Sequence, residues 1–272
     1  MTGMSQTGPK PLLEGRTAVV TGAARGIGLS IATRLAAHGA RVALLDLDDE
    51  QTQAAARQVQ ESTGSRTLGL AADVTDAARL REAADAIETD LGPVNVVVPN
   101  AGILVLKTAL DIEPQEFDAV LRVNLFGAFL TAVEFARRMP RSGADGRIIF
   151  TSSLFGLRGG VGNAAYAASK FGILGMAQSM AAELAPSGIR VNSVCPGQIE
   201  SAMIRQLFED RAAANGTTPE GERSAFARHI PLGGLGDPDD VANTYVYLAS
   251  PLSSYVTGQH IVVDGGWSVG SA

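Results

Sequence analysis

The chain has 272 residues, of which 46% are hydrophobic and 18% charged, a composition typical of a globular protein with a substantial core. Its formal net charge of −6, without a block of Lys or Arg, argues against nucleic acids and anionic membranes as partners. The single cysteine, Cys195, excludes an internal disulfide and indicates a reducing compartment, so we expect a cytoplasmic protein.

The first residues, 1–13, are expected to form a flexible arm, because the segment is rich in Thr, Gly, Ser and Gln. It lacks the apolar run of a signal peptide. No stretch of the chain approaches the ~20 apolar residues of a membrane span. Residues 14–272 contain no Pro/Ser-rich linker, so we expect them to form one catalytic domain.

Short apolar runs alternate with longer helical patterns. In chain order the predicted strands are residues 17–20, 42–45, 67–71, 94–98, 147–150, 191–194 and 261–263, and the predicted helices are 27–38, 49–61, 76–91, 116–139 and 164–184. Strands that are apolar throughout indicate helices on both faces of the sheet, and repeated β-α units imply parallel strands. We predict an α/β fold with a Rossmann-like, doubly wound, mostly parallel seven-stranded sheet and helices on both faces.

The segment 199–231 interrupts this alternation with an apolar part followed by a polar, Gly-bearing part. In an open α/β sheet the ligand crevice lies beyond the carboxyl ends of the strands. An insertion after the sixth strand would cover that crevice. We interpret the segment as a mobile substrate lid, with an ordinary surface excursion as the alternative.

A glycine-rich loop follows the first predicted strand. Residues 21–28 read Thr-Gly-Ala-Ala-Arg-Gly-Ile-Gly, so Gly22, Gly26 and Gly28 follow a Gly-x-x-x-Gly-x-Gly spacing. Glycines allow the backbone to turn tightly and to approach a pyrophosphate, and the helix that starts near Ile27 offers free N–H groups to that anion. The loop therefore predicts a dinucleotide site, although its spacing differs from Gly-x-Gly-x-x-Gly.

An acidic residue, Asp46, closes the second predicted strand. A carboxylate there accepts hydrogen bonds from both hydroxyls of an adenosine ribose and repels the additional phosphate of NADP. Arg25 in the glycine loop favours the opposite preference, because a basic residue could bind that phosphate. We give Asp46 more weight and predict NAD as the cofactor.

Tyr166 and Lys170 are four residues apart on a predicted helix, so they share a face. The ordinary pKa of tyrosine is near 10, and a neighbouring ammonium lowers it, as would the positive nicotinamide ring of an oxidised cofactor. Ser153 follows the fifth strand and could bind a substrate oxygen, with Ser152 as an alternative. No metal site is predicted.

Taken together, these motifs resemble the short-chain dehydrogenase/reductase family, in its single-domain branch. The resemblance runs from about Glu14 to Trp267. Its landmarks beyond the glycine loop are Asp73, Val74, Asn100, Ala101, Gly102, Asn124, Ser153, Tyr166, Lys170, Pro196, Gly197, Ile199, Ser201 and the terminal signature at 263–266. One departure is Pro99, which replaces the first Asn of the family's Asn-Asn-Ala-Gly segment and removes a polar contact there.

The resemblance implies roles for these residues. Tyr166 would be the general acid/base, Lys170 would lower its pKa and bind ribose, and Ser153 would orient the substrate oxygen. Asn124 would hold a water behind Lys170. Further cofactor contacts are implied for two groups, Asp73 and Val74 at the adenine, and Pro196, Gly197, Ile199 and Ser201 at the nicotinamide carboxamide.

The resemblance also bears on the substrate and the assembly. The region from Arg205 to Gln259 is similar to acetoin/2,3-butanediol dehydrogenases and sugar-alcohol dehydrogenases, which implies a polyol, vicinal diol or acyloin. Apolar Leu154, Phe155 and Leu157 fit a highly polar sugar poorly. The alternatives are an NADPH-dependent carbonyl or ketoacyl reductase and a non-catalytic NAD(H)-binding protein. The family usually forms tetramers, so a homotetramer is expected.

Overall fold

The computed structural model describes residues 11–139 and 145–270. Its strands form one seven-stranded sheet, in the order β3-β2-β1-β4-β5-β6-β7, in which every neighbouring pair is parallel. The strands are β1 (Thr17–Thr21), β2 (Arg41–Asp46), β3 (Thr67–Ala71), β4 (Val96–Val98), β5 (Gly146–Thr151), β6 (Ile189–Pro196) and β7 (His260–Val263). The predicted Rossmann-like, doubly wound sheet is confirmed, and each predicted strand is present.

Helices connect the strands and cover both faces of the sheet. They are α1 (Gly26–Ala37), α2 (Asp49–Thr63), α3 (Ala77–Leu91), α4 (Pro114–Leu121), α5 (Ala128–Arg138), α6 (Ala164–Leu184), α7 (Ala202–Asn215), α8 (Pro219–Ala227) and α9 (Pro238–Ala249). A π-helical turn, Arg122–Gly127, joins α4 to α5. Short 3₁₀ turns occur at Leu154–Gly156, Ala185–Ser187, Pro251–Ser253 and Trp267–Val269.

Local sequence explains where several helices begin. Asp48 accepts a hydrogen bond from the Gln51 N–H at 3.0 Å and caps α2, and Asp76 caps α3 in the same way. Gly64 ends α2 in the left-handed conformation, with φ of 72°. These short-range signals place the helices between the strands without help from tertiary contacts.

The core has two layers, one on each face of the sheet. Strands β1 and β4 are buried along their whole length, because helices cover both of their faces. One layer contains Ile31 of α1 and Tyr245 of α9, and the other contains Leu80 of α3 and Phe135 of α5. The sheet is therefore held rigidly, and its carboxyl edge is a stable base for a site.

The predicted single helix over 116–139 is present as α4, the π-helical turn and α5. A π-helical turn replaces the regular i→i−4 pairing and occurs often at functional sites. It contains Asn124, whose side chain is fully buried. Helix α9 was not predicted, although Asp237 and Asp240 form a capping box around Pro238 at its start.

The helical stretch Pro114–Arg138 has 25 residues and is long and apolar enough to cross a membrane by length and composition alone. This corrects the expectation that no segment approaches that length. In the structure, Ala132 and Phe135 of this stretch are fully buried in the core, and Asn124 is buried as well. One face of the stretch therefore packs in the core, and 39% of its apolar window is buried in the structure.

The predicted arm spans residues 1–13, and the structure corrects the position at which it ends. Leu13 is fully buried, and its N–H donates to the carbonyl oxygen of His38 at 2.9 Å. Leu12 packs against the same core layer. Residues 1–10 of the predicted arm lie outside the described residues. Apolar side chains at 12 and 13 explain why residues before Glu14 pack against the core.

Candidate active site

The residues selected from the sequence lie at the carboxyl ends of the parallel strands. Strand β1 ends at Thr21, β2 at Asp46, β5 at Thr151 and β6 at Pro196. The strand order reverses between β1 and β4, where the ligand crevice of a doubly wound sheet lies. The fold thus brings the glycine loop, the segment around Ser153 and the segment after β6 to one edge of the sheet.

The glycine loop between β1 and α1 requires glycine at two positions for steric reasons. Gly22 has φ of 64°, and a Cβ there would lie 2.8 Å from the Ala101 Cα. A Cβ on Gly28 would lie 2.0 Å from the Gly22 carbonyl oxygen, closer than atoms can approach. Helix α1 therefore packs directly on the loop, as a Gly-rich dinucleotide loop requires.

The N-terminus of α1 has the features of an anion site. Arg25, at the N-cap position, makes no side-chain capping hydrogen bond, and the first turn carries no acidic residue. Gly26 has φ of 58°, and a Cβ there would meet open space, whereas Ile27 packs against the core. The N–H groups of this turn are not taken by a side-chain cap and carry partial positive charge. The loop fits the pyrophosphate of a dinucleotide.

Asp46 lies beside this loop at the end of β2. Its Oδ2 accepts a hydrogen bond from the Ala24 N–H at 3.0 Å, and its Oδ1 accepts one from the Leu47 N–H at 2.8 Å. The side chain is half-buried, so part of the carboxylate faces solvent. Each carboxylate oxygen has a second lone pair, so Asp46 can accept two further hydrogen bonds from a diol.

Asp73 and Val74 follow β3, next to Asp46. The Ala72 N–H donates to the Asp46 carbonyl oxygen at 2.8 Å, which joins the two strand ends. The Asp73 side chain is exposed and accepts hydrogen bonds from the N–H and hydroxyl of Thr75, both at 2.8 Å. Val74 is buried against Gly127 of the π-helical turn. The pair thus borders the crevice on the β2–β3 side.

Asn100 joins the end of β4 to the glycine loop. The N–H groups of Asn100 and Ala101 donate to the Thr21 Oγ1 at 2.9 and 3.0 Å, respectively. The Asn100 Nδ2 donates to the carbonyl oxygens of Thr21 at 3.0 Å and of Gly22 at 3.2 Å. These bonds hold the loop against β4.

Pro99, the departure from the family pattern, is buried. Its carbonyl oxygen accepts a hydrogen bond from the Thr151 N–H at 3.1 Å, so the link from β4 to β5 is retained. Gly102 lies three residues after Pro99. A Cβ on Gly102 would lie 3.7 Å from the Lys170 Nζ and 3.2 Å from the Asn124 Oδ1. Gly102 therefore lies directly beside the Asn124 and Lys170 side chains.

The structure separates the two serines that follow β5. The Ser152 hydroxyl is buried and donates to the Lys170 carbonyl oxygen at 2.9 Å, so it anchors α6 to β5. The Ser153 Oγ accepts a hydrogen bond from the Phe155 N–H at 3.2 Å, and the Ser153 hydroxyl lies close enough to the Tyr166 hydroxyl to lower the pKa of Tyr166. Ser153, and not Ser152, therefore faces the tyrosine.

Tyr166 lies on α6 and is half-buried, with Ser153 and Lys170 next to it. The Lys170 Nζ lies 5.5 Å from the centre of the tyrosine ring. Burial raises the pKa of Tyr166 above its ordinary value, while the hydrogen bond with Ser153 opposes this shift. The predicted lowering of the Tyr166 pKa by Lys170 is therefore not found in this arrangement, because desolvation dominates.

Lys170 is almost completely buried. Its Nζ donates to the Thr151 carbonyl oxygen at 2.9 Å. Burial lowers the pKa of Lys170 to about 8, because an ammonium is disfavoured away from water. A positive group that approaches this nitrogen therefore lowers its pKa further, towards neutral pH.

Asn124 lies behind Lys170 in the π-helical turn. Its Oδ1 accepts a hydrogen bond from the Ile103 N–H at 2.8 Å, and its Nδ2 donates to the Ile103 carbonyl oxygen at 2.9 Å. The Nδ2 also donates to the Ser169 Oγ at 3.1 Å. The side chain therefore orients two segments, the one after Gly102 and α6.

The segment after β6 closes the site on the opposite side from Asp46. The Gly197 N–H donates to the Val263 carbonyl oxygen at 2.8 Å, and a Cβ on Gly197 would lie 2.4 Å from the Asp264 Cβ. Pro196 and Ile199 are buried. Ser201 caps α7 by accepting a hydrogen bond from the Ile204 N–H at 3.2 Å.

The predicted lid consists of α7, α8 and the segments around them. Phe208 of α7 is buried and meets Phe226 of α8 edge-to-face, with ring centres 5.7 Å apart. The Arg223 Nε donates to the Glu200 Oε1 at 2.8 Å, which ties α8 to the segment after β6. The polar stretch of the sequence is therefore a helical pair with its own small core.

Two residues of the site were missed by the sequence analysis. The Thr151 carbonyl oxygen accepts a hydrogen bond from the Lys170 ammonium. The Thr151 hydroxyl lies 2.7 Å from the hydroxyl of Tyr245 on α9. Thr151 directly precedes the serines, so its position was a usable signal. Tyr245 is 94 residues away in sequence, and no local pattern marks it. Among residues 11–139 and 145–270, no three His, Cys, Asp or Glu residues are grouped to hold a metal ion.

The site and fold agree with comparisons to known proteins. Residues 22–268 match a family model described as enoyl-(acyl carrier protein) reductase. An uncharacterized short-chain type dehydrogenase/reductase of Sinorhizobium fredii is 40% identical over 259 residues, 94% of this chain and 98% of the relative. D-threitol dehydrogenase of Mycolicibacterium smegmatis is 35% identical over 257 residues, 94% of each chain.

Other relatives are about as similar to this chain as the D-threitol dehydrogenase and are named for different substrates. A 3-oxoacyl-[acyl-carrier-protein] reductase of Aquifex aeolicus is 35% identical over 93% of this chain and 98% of the relative. L-2,3-butanediol dehydrogenase of Corynebacterium glutamicum is 36% identical over 92% of this chain and 98% of the relative. The comparisons therefore agree on the reaction type and differ on the substrate.

Solved structures show the same fold. A short-chain type dehydrogenase/reductase from Mycobacterium marinum has a TM-score of 0.85 at 35% identity and is matched over 94% of this chain and 96% of its own. Levodione reductase has a TM-score of 0.89 at 30% identity, over 94% and 99%, respectively. With the family model matched over most of its length, this chain is an oxidoreductase that belongs to the short-chain dehydrogenase/reductase family, whose members use a nicotinamide cofactor.

Proposed function

We propose that this enzyme catalyses the reversible, NAD-linked interconversion of a small secondary alcohol and its ketone. The observation that carries the proposal is the grouping of Ser153, Tyr166 and Lys170 at the end of β5. The Ser153 hydroxyl faces the Tyr166 hydroxyl and lowers its pKa, and the Lys170 nitrogen lies 5.5 Å from the tyrosine ring. One hydroxyl is thus placed to exchange a proton with a substrate oxygen, and a second is placed to orient it.

The residues divide the chemistry with the cofactor. A nicotinamide cofactor held at this edge of the sheet would supply the hydride transfer, which is chemistry that the protein itself does not provide. In the oxidative direction, Tyr166 takes the proton of the substrate hydroxyl, and in the reductive direction it returns one to the ketone oxygen. Ser153 donates a hydrogen bond to that oxygen. Lys170 binds ribose hydroxyls and keeps positive charge beside the tyrosine, and Asn124 holds a water that replenishes the proton.

The remaining cofactor contacts follow the carboxyl edge of the sheet. The glycine loop would bind the pyrophosphate, Asp73 and Val74 the adenine, and Pro196, Gly197, Ile199 and Ser201 the carboxamide. Asp46 supports NAD over NADP, because its carboxylate has free lone pairs for a diol and repels an added phosphate. The exposed Arg25 is the feature that would favour NADP instead.

We favour a polyol, vicinal diol or acyloin as the substrate, as supported by the D-threitol and butanediol dehydrogenases among the relatives. The second candidate is NADPH-linked reduction of a ketoacyl group, which a ketoacyl reductase of nearly equal identity supports. Phe155 also favours a less polar substrate, because its ring meets the Tyr166 ring edge-to-face at 6.4 Å.

We further propose that the catalytic domain acts as a homo-oligomer, a tetramer by family expectation. A groove of about 490 Å³ lies between the π-helical turn, α5 and α6, and Phe126 and Phe129 line it. These two side chains are 43% and 41% exposed. Large exposed aromatic side chains beside a groove are typical of an interface. The helical pair α7–α8 would be the substrate lid, and the single buried Cys195 fits a reducing, cytoplasmic setting.

The test is an assay of cofactor reduction by the purified protein. NAD and NADP are each supplied with alditols, vicinal diols, acyloins and simple secondary alcohols, and ketoacyl thioesters are tested with NADH and NADPH in the reverse direction. We expect turnover with NAD and a small diol or polyol, and none in Tyr166→Phe, which should still bind NADH. Normal turnover in Tyr166→Phe would contradict the mechanism, and reduction of ketoacyl thioesters with NADPH alone would favour the second candidate.

A further inference from the structure

Tyr245 is a large polar residue that the mechanism above does not use. It belongs to α9, is completely buried, and its hydroxyl lies 2.7 Å from the Thr151 Oγ1. A buried hydroxyl is costly unless it forms a hydrogen bond, so this contact is a specific feature of the core and not a by-product of packing. A phenylalanine would fill the same space without that bond.

The direction of the hydrogen bonds around Thr151 follows from the partners. The Asn100 Nδ2 donates to two backbone carbonyl oxygens, so the Asn100 Oδ1 is the atom that faces Thr151. The Thr151 hydroxyl donates its single proton to that oxygen at 3.1 Å. Tyr245 must therefore be the donor to Thr151. The result is a chain of three side chains that runs from α9 to the glycine loop.

Two members of this chain, Asn100 and Thr151, touch elements of the cofactor site. Asn100 holds the carbonyl oxygens of Thr21 and Gly22 at 3.0 and 3.2 Å, and thereby sets the position of the glycine loop. The carbonyl oxygen of Thr151 accepts the Lys170 ammonium at 2.9 Å. Thr151 thus contacts Tyr245, the loop-holding Asn100 and the candidate ribose-binding Lys170.

Helix α9 is also fixed to α1, the helix that begins at the glycine loop. The Arg34 Nε donates to the Asn243 Oδ1 at 2.9 Å, and Ser30 pairs with Asp239 at 2.5 Å. Tyr245 therefore lies on an element that contacts the cofactor site both through α1 and through β5.

We propose that Tyr245 is a positioning residue for the cofactor site, which acts through Thr151 and Asn100 to hold the glycine loop and Lys170 in their binding arrangement. The proposal rests on the proposed function in that the glycine loop and Lys170 bind a nicotinamide cofactor. It assigns a function to a residue of α9 that lies outside the motifs of the glycine loop and of α6.

The experiment measures NADH binding directly, by fluorescence titration of the purified full chain, next to the melting temperature. Tyr245→Phe retains the ring and removes only the donor, and Thr151→Val removes the hydroxyl at nearly constant volume. Thr151→Ser retains the hydroxyl and is the matched control. Circular dichroism verifies that each variant is folded before binding is measured.

We expect Tyr245→Phe and Thr151→Val each to raise the dissociation constant for NADH about fivefold, as the loss of one neutral hydrogen bond implies. Thr151→Ser should stay within about twofold of wild type, and the double variant should be no weaker than Thr151→Val, because both changes break the same chain. In turnover, the KM for the cofactor should rise by a similar factor, and by more than kcat falls.

Unchanged NADH affinity in folded Tyr245→Phe, with a lower melting temperature only, would overturn the proposal and leave Tyr245 a purely structural residue. Additive losses in the double variant would also overturn it, since the two hydroxyls would then act separately. Failure of the wild-type chain to bind NADH is a different result, because it would refute the proposed function itself and the positioning role with it.

Discussion

The Lys170 Nζ donates to the Thr151 carbonyl oxygen at 2.9 Å, so the end of β5 holds the ammonium of α6 in a buried position. Ser152, the next residue, holds the Lys170 carbonyl oxygen at 2.9 Å. The side-chain ammonium and the backbone carbonyl oxygen of Lys170 are thus both hydrogen-bonded to residues at the end of β5. This arrangement keeps the Lys170 ammonium beside Tyr166, although burial of the ammonium away from water is costly.

The first prediction concerns the pH dependence of stability. The pKa of Lys170 is about 8 in the folded chain and near its ordinary value of 10.5 in the unfolded chain. Below pH 8 both states carry the proton, and folding bears the full cost of burying the charge. Between pH 8 and 10.5 the folded state has released the proton and the unfolded state retains it, so the free energy of unfolding rises with pH.

Chemical denaturation of the wild type and of Lys170→Met, without cofactor, checks this sign. Between pH 7 and 9 we expect the wild type to gain about 1 kcal/mol relative to the variant. The range ends at pH 9 because burial raises the pKa of Cys195 to about 11, which opposes the rise in stability at higher pH. Parallel curves for the two proteins would show that Lys170 does not titrate in this range.

The second prediction separates the two serines after β5. Ser153→Ala removes the hydroxyl that pairs with Tyr166, so kcat should fall by about 10²–10³. Ser152→Ala removes the bond to the Lys170 carbonyl oxygen, so the free energy of unfolding should fall by about 1–3 kcal/mol. Steady-state kinetics and urea denaturation of both variants test the difference. The reverse pattern would assign the substrate contact to Ser152.

The third prediction concerns cofactor choice. Asp46→Ala should lower the ratio of kcat/KM for NAD to that for NADP by about tenfold or more, because a repulsive charge and a ribose acceptor are lost together. Asp48→Ala is the matched control, since Asp48 caps α2 two residues away and should change stability without changing the ratio. An unchanged ratio in Asp46→Ala would mean that Asp46 does not contact the ribose.

The fourth prediction tests the packing of α1 on the glycine loop. Gly28→Ala places a Cβ 2.0 Å from the Gly22 carbonyl oxygen and 2.7 Å from the Asn100 Nδ2, so the loop must move and NADH binding should be lost. Gly175→Ala is the control, because a Cβ there meets nothing within 4 Å and alanine favours the helix. NADH titration and melting temperatures compare the two. Normal binding by Gly28→Ala would refute the predicted role of the loop.

The amino-acid sequence by itself determined the order of the seven strands and of the helical segments between them up to β6, because buried parallel strands are apolar throughout and amphipathic helices have a different period. It also determined which side chains lie near the carboxyl edge, since Asp46, Ser153 and Tyr166 follow strand ends directly or share the next helix. Short-range physical rules are sufficient for these features.

Only the tertiary structure decided the features that depend on distant parts of the chain. The choice between Ser152 and Ser153 rests on which hydroxyl meets α6, and the raised pKa of Tyr166 rests on burial among other elements. The contact of Thr151 with Tyr245 joins residues 94 positions apart. Periodicity and spacing cannot show such contacts, because they arise from packing between elements and not from the conformation of either one.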